Sequence, residues 1–231
     1  MLVGTEILAD SPSEIIMKVL LSYPDLSIQS ALRRMCIIAS SMHKDAMKAL
    51  KELDRDLAHE VISMDDEVDR FNLYIIRQLK AAVEDESIIR DIGLATRRDC
   101  LGYRLITKSV ERAADHAVEI AENTLSLKEP IETELYEKIE SMSKSAVSIF
   151  NESIESLFKE EFDAANRIVQ KAKMVALQKQ DLIRSIIKRS QFSEISSLSL
   201  IIESVTRTVQ YASDIAEIVL NLNINHILSE G

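Results

Sequence analysis

The sequence predicts an all-α protein: two tandem, pseudo-symmetric three-helix bundles made of six long helices. Three observations carry that reading. Only four glycines and three prolines occur in 231 residues, few for any β-rich or loop-rich fold. Hydrophobic residues make up 46% while aromatics make up 4% with no Trp, so the core is aliphatic, with Ala and Met, as suits packed helices. Apolar residues also recur at alternating spacings of four and three, the stripe of a helix that buries one face.

Residues 1–26 stand apart as a lead-in. They mix apolar residues with turn formers, hold no sustained period, and read as extended or short-helical. The first bundle is placed at 27–128. Ser27 is a suitable N-cap after Pro24. From there Ile28, Leu32, Met35, Ala39, Met42, Ala46, Ala49 and Leu53 keep an unbroken stripe. Leu53-Asp54-Arg55-Asp56 gives a turn. A second helix then runs to about Val83 on Leu57, Val61, Met64, Val68, Phe71 and Ile75. After an acidic link, a long third helix ends near Leu125, with Ile106, Val110, Ala113, Ala117 and Ile120 on its stripe. Gly93 and Gly102 fall inside it, where a kink or a close backbone contact is expected.

The second bundle is placed at 129–231. Pro130 suits a first helical position, and Glu132 and Glu134 suit the positive end of the helix dipole. Helices follow at about 131–159, 162–190 and 194–223. The last carries Leu198, Ile202, Val205, Val209, Ala212, Ala216 and Val219. The third and sixth helices align without a gap at an offset of 95 residues. ERAADHAVEIAENTL lies over TRTVQYASDIAEIVL, so Arg112 meets Arg207 and Ile120-Ala121-Glu122 meets Ile215-Ala216-Glu217. AHEVI at 58–62 aligns more loosely with ANRIV at 165–169. A tandem pair of units explains both matches.

A formal net charge of -10 argues against direct binding of nucleic acid or an anionic membrane. Cys36 and Cys100 match no metal-binding or redox spacing and read as reduced thiols in or near the core. There is no signal-peptide pattern and no run of 18 apolar residues, so a cytoplasmic protein is expected.

Chemistry gathers on two helices. Glu111, Asp115 and Glu122 fall in one narrow sector of the third helix, at about 100° per residue. Asp65 and Asp69 form a second acid pair four residues apart. Like charges at that spacing repel, so two facing pairs call for something positive between them. All-carboxylate ligation favours a hard cation such as Mg, Ca, Mn or Fe. The alternative is a solvated face answered by Arg70, Arg104 or Arg112. His116 points away from Asp115 and reads as a surface or packing residue, and His43, His59 and His226 stand singly. No Glu-x-x-His pair, phosphate loop or nucleophile motif is present, so no enzyme is expected.

ERAADHAVEIAE at 111–122 resembles the signature of the PhoU family of phosphate-uptake regulators, and MDDEVDRF at 64–71 is similar to that family's acidic motif on the preceding helix. The resemblance spans 27 to about 225. It implies negative regulation of phosphate uptake through a phosphate ABC transporter or a sensor protein, peripheral membrane placement through the transporter, and metal sites of iron or zinc. A homodimer is expected separately, from the long stripe with Ala at close-contact positions and the Met-rich helices. Carried over by residue, the ligands are Asp65, Asp69, Glu111 and Asp115, with Glu122 as an additional candidate. The second repeat departs from the pattern. Thr206 and Gln210 stand for Glu111 and Asp115, and Lys171, Ala172, Lys173 and Met174 stand where the acid pair belongs, so at most one metal site is expected. The lead-in resembles the link that follows an AbrB-like DNA-binding domain in some archaeal relatives. A carboxylate-metal enzyme and a purely structural helical protein are the competing readings.

Overall fold

The computed structural model describes residues 5–11, 14–19, 26–159, 161–189 and 192–229. The lead-in forms an antiparallel pair, β1 (Thr5–Ser11) and β2 (Glu14–Val19), with a register shift between Ile7 and Ala9. Neither strand packs against a helix among the described residues. Pro12 and Pro24 lie outside them. The rest is helical: α1 (Ile28–Glu52), α2 (Arg55–Glu84), a short α3 (Ser87–Asp91), α4 (Asp99–Leu125), α5 (Thr133–Lys159), α6 (Phe162–Arg189) and α7 (Phe192–Ser229).

Local chemistry sets the ends. Ser27 Oγ accepts from the Ser30 amide at 3.2 Å, capping α1. Leu53 turns the chain in the left-handed region at φ 51°, and Asp54 Oδ1 then accepts from the Leu57 amide to cap α2. The expected third helix is shorter than its sequence pattern. Gly93, at φ 82°, ends α3. The Leu94 amide donates to Ile89 O and the Gly93 amide to Arg90 O, a pairing that satisfies the last carbonyls of a helix and requires a left-handed residue. Asp99 then gathers the amides of Ala95 and Thr96 before α4 begins. Pro130 also lies outside a helix, since the Tyr136 amide donates to Glu132 O and α5 opens at Thr133.

Helices α1, α2 and α4 pack on one another, as do α5, α6 and α7. The two groups are joined along α4 and α7, with a smaller contact between α1 and α5, and one continuous core runs through both. The alanine surface explains the central position of α4. Ala113, Ala114, Ala117 and Ala121 are buried and let α1, α2 and α7 approach closely. Gly102 serves the same end: a methyl there would come within 2.5 Å of Leu222 Cδ2 on α7. At the middle of the α4–α7 crossing, His116 stacks on Tyr211 with ring centroids 5.7 Å apart. These two residues are 95 apart in sequence. Equivalent positions of the two repeats therefore meet each other, as they must where an approximate two-fold axis passes. The stripe residues predicted for α1, α4 and α7 are buried, Leu53 excepted.

Candidate metal centre

Asp65 and Asp69 lie one turn apart on α2, and Glu111 and Asp115 one turn apart on α4. Val68 on α2 and Val110 and Ala114 on α4 are buried, which turns these edges of the two helices toward one another. The four carboxylates share one electrostatic neighbourhood. Burial, followed by the charges of Asp69, Glu111 and Asp66, pushes Asp65 up to about 6. Burial, followed by Glu111 and Asp65, pushes Asp115 up to about 6. Asp69 is raised by burial and then by Glu111. Each shift has a cause on the facing helix, so the quartet read from the sequence is brought together across α2 and α4. Glu122 is exposed, lies two turns beyond Asp115, and is not among the charges that raise Asp65, Asp69 and Asp115.

The cation among these acids is one that the sequence reading missed. Lys108 Nζ donates to both carboxylate oxygens of Glu111, which is 8% exposed. The same ammonium opposes the upward shifts of Asp69 and Asp115. The signal was present in the sequence, since Lys108 precedes Glu111 by three positions on one helix face. Of the three arginines that could answer a solvated acidic face, Arg112 instead lies over the Tyr211 ring, 5.9 Å from its centroid. His116 faces the bundle joint rather than the acids. Its Nδ1 lies 2.8 Å from Glu119 Oε2, and its Nε2 lies 3.3 Å from the Tyr211 hydroxyl.

One lysine does not balance four carboxylates. Asp65 Oδ1 is buried without a hydrogen-bond partner, a costly state for a carboxylate oxygen. The donor chemistry, all carboxylate with one orphaned oxygen, fits a hard cation. The arrangement is not a closed cage. Among the described residues, no group of three or more His, Cys, Asp or Glu side chains converges tightly enough to hold a metal ion. Releasing the Glu111 carboxylate from Lys108 is what would free it to act as a ligand.

The second bundle has no such quartet among its described residues. Thr206 is buried and its hydroxyl donates to Ile202 O, while Gln210 Oε1 accepts from Arg207. Ala172 is buried, and Lys171 pairs with Glu152 at 2.6 Å. At the same 95-residue offset, Lys108 falls on Glu203, whose carboxylate takes Lys179 and Arg207. Cys36 and Cys100 are buried free thiols, as expected. No helix among the described residues is long and apolar enough to cross a membrane.

Residues 32–124 match the family model described as the PhoU domain, which bears out the resemblance drawn from the sequence. The chain is 22% identical over 189 residues to the phosphate-specific transport system accessory protein PhoU homolog 1 of Thermotoga maritima, covering 81% of this chain and 80% of that protein. Its fold is similar to the crystal structure of the phosphate transport system regulatory protein PhoU from Streptococcus pneumoniae. The TM-score is 0.74 at 20% identity, over 86% of this chain and 94% of the other. PhoU from Pseudomonas aeruginosa superposes with a TM-score of 0.59 at 20% identity, over 84% and 94%. At this level of identity the two structures establish the all-α fold.

Proposed function

We propose, from the premise of a PhoU domain at residues 32–124, that this chain is a regulatory protein of phosphate transport. It acts by contact with other proteins, restraining uptake through a phosphate ABC transporter or a sensor partner. The observation that supports a regulatory site within it is the acid quartet Asp65, Asp69, Glu111 and Asp115, all inside the matched segment. A hard cation held there would neutralise a repulsion that the chain's own residues leave standing. Below about pH 6 the cation would compete with the protons held by Asp65 and Asp115, and Lys108 would swing from Glu111 toward solvent. The cation would supply charge neutralisation that draws α2 toward α4. The chain works as a homodimer; Leu101 and Leu105, one turn apart on α4 and 71% and 57% exposed, support a self-association surface.

The adaptor role is tested by recovering partners with the tagged chain from phosphate-replete and phosphate-starved cells. A transporter subunit or sensor is expected in at least one state, and recovery of neither overturns the role. Elemental analysis of protein purified without chelator tests the metal. Bound iron, zinc, magnesium, manganese or calcium that disappears in Asp65→Asn with Asp115→Asn is expected; equal metal in both proteins removes the site. Light scattering at high concentration tests the dimer, and a monomer overturns it.

A further inference from the structure

A second charged feature lies between α1 and α5, on different helices from the acid quartet of α2 and α4. Lys44, Lys48 and Lys51 follow the four-three spacing along one face of α1, and Lys144 stands on the facing helix α5. Together they line a cavity of about 380 Å³, within the range of small-molecule sites. In a chain of net charge -10, this places four ammonium groups around one concavity. Lys44 and Lys48 make no ion pair among the described residues, and both are exposed. Lys51 lies over the Tyr136 ring, 5.7 Å from its centroid. Two acids share the cavity. Glu140 is already engaged, accepting from Lys144 at 2.8 Å and from the Tyr136 hydroxyl at 3.1 Å, while Glu52 stands at the Lys51 end. Tyr136 and Ser143, whose hydroxyls are engaged with Glu140 and His43, also line it beside Met47 and Val147.

We infer that this α1–α5 cavity binds a small molecule carrying a chain of phosphates. Seven residues of helix separate Lys44 from Lys51, a rise of roughly 10 Å. A row of cations that long matches several linked phosphates better than one phosphate ion, which would reach only one end. The lysines act as point charges on flexible stems, suited to phosphate oxygens without a fixed bidentate geometry. The occupant would touch α1 of one bundle and α5 of the other, so its binding would stabilise their joint. This inference stands on the cavity alone and does not depend on the metal or the transport reading.

The test is calorimetric titration of the full chain with ATP, with inorganic tripolyphosphate and with orthophosphate at low salt, alongside melting curves. Saturable one-to-one binding of ATP or tripolyphosphate is expected, weaker for orthophosphate, with a rise in Tm at saturation. Equal affinity for ATP and tripolyphosphate assigns recognition to the phosphate chain; tighter ATP adds the nucleoside. Lys44→Glu with Lys48→Glu should weaken binding about tenfold or more, and the matching Gln pair somewhat less. Lys80→Glu with Lys173→Glu, the same charge change elsewhere on exposed helix faces, should leave affinity within about twofold. No saturable binding of either polyphosphate overturns the inference, as does an equal loss in the control pair. Helix content by circular dichroism identifies any variant that has lost its fold, and the Gln pair then decides.

Discussion

In the first bundle one lysine answers four carboxylates; in the second, one carboxylate answers a lysine and an arginine. The helices beneath these charges are alike. Ala117 and Ile120 fall on Ala212 and Ile215 at the 95-residue offset, and all four are fully buried. At that same offset Lys108 falls on Glu203, Glu111 on Thr206 and Asp115 on Gln210. Packing fixes the apolar stripe, because a misplaced side chain there opens a void or a clash. Along the bordering edge Lys108, Asp115 and Glu203 are only partly buried, and charge there is exchanged more freely: it reverses at Lys108 and Glu203 and is lost from Asp115 to Gln210. The second bundle's Glu203 has its charge answered. The first bundle's quartet does not, and an imbalance that the fold does not require points to function.

The largest effects should come from the shared stripe. Ile120→Ala and Ile215→Ala each remove a fully buried side chain, and each should cost about 2–5 kcal/mol in urea unfolding. The comparison predicts equal costs. A loss at Ile215 under half that at Ile120 would break the equivalence of the two copies.

Acid should act next, at the joint between the bundles. His43 on α1 is buried, its Nε2 lies 2.9 Å from Ser143 Oγ on α5, and burial lowers it to about 4. Its folded pKa lies below its unfolded one. The stability it contributes is therefore present above about pH 6.5 and is lost as pH falls through about 4. At about pH 4.5 the loss should be on the order of 2–3 kcal/mol, and His43→Leu should flatten that part of the profile. An unchanged acid limb in His43→Leu would place the acid sensitivity elsewhere.

Much of this was legible in the sequence, for a physical reason. Periodicity reports burial directly, so spacing alone places the stripes of α1, α4 and α7 and the two acid pairs. The break at Gly93 was less visible, because the apolar spacing continues across it while a positive φ shows only in the backbone. Lys108 was hidden for a different reason. Its pairing with Glu111 follows from their spacing on α4, but only the packing of α2 against α4 shows that the same ammonium also reaches Asp69 of the quartet. The basic α1–α5 cavity needed both helices, since neither the lysine row of α1 nor Lys144 of α5 is unusual alone. The β1–β2 pair in the lead-in has no sustained alternation to announce it.

Within the quartet, substitution should stabilise. Asp65 has a folded pKa of about 6, above its unfolded value, so its contribution falls as pH rises through that range. In chelator at neutral pH, Asp65→Asn should raise stability by on the order of 1 kcal/mol, allowing for solvent screening of a half-exposed group. The gain should shrink as pH falls through about 6 and vanish only below about pH 3.8, where the carboxyl is protonated in both the folded and the unfolded chain. If the quartet takes a hard cation, adding that metal should reverse the order, raising Tm for the natural chain alone. A loss of stability at neutral pH in chelator would mean that the four acids are already satisfied.

The smallest effect is the opposite one, in the second bundle. Glu203 is held below its ordinary pKa first by the Lys179 hydrogen bond, with Arg207 adding to it. Its contribution is therefore present at neutral pH and is lost as pH falls through its folded pKa. Glu203→Gln should lower stability by under about 1 kcal/mol, because all three side chains are partly exposed. The size matters less than the sign. Neutralising an acid at the edge of the first bundle should help, and neutralising one at the equivalent edge of the second should harm. Thermal melts of the two variants in one chelator-containing buffer decide it. Shifts of the same sign would mean that the net charge of -10, rather than the local arrangement, governs both edges.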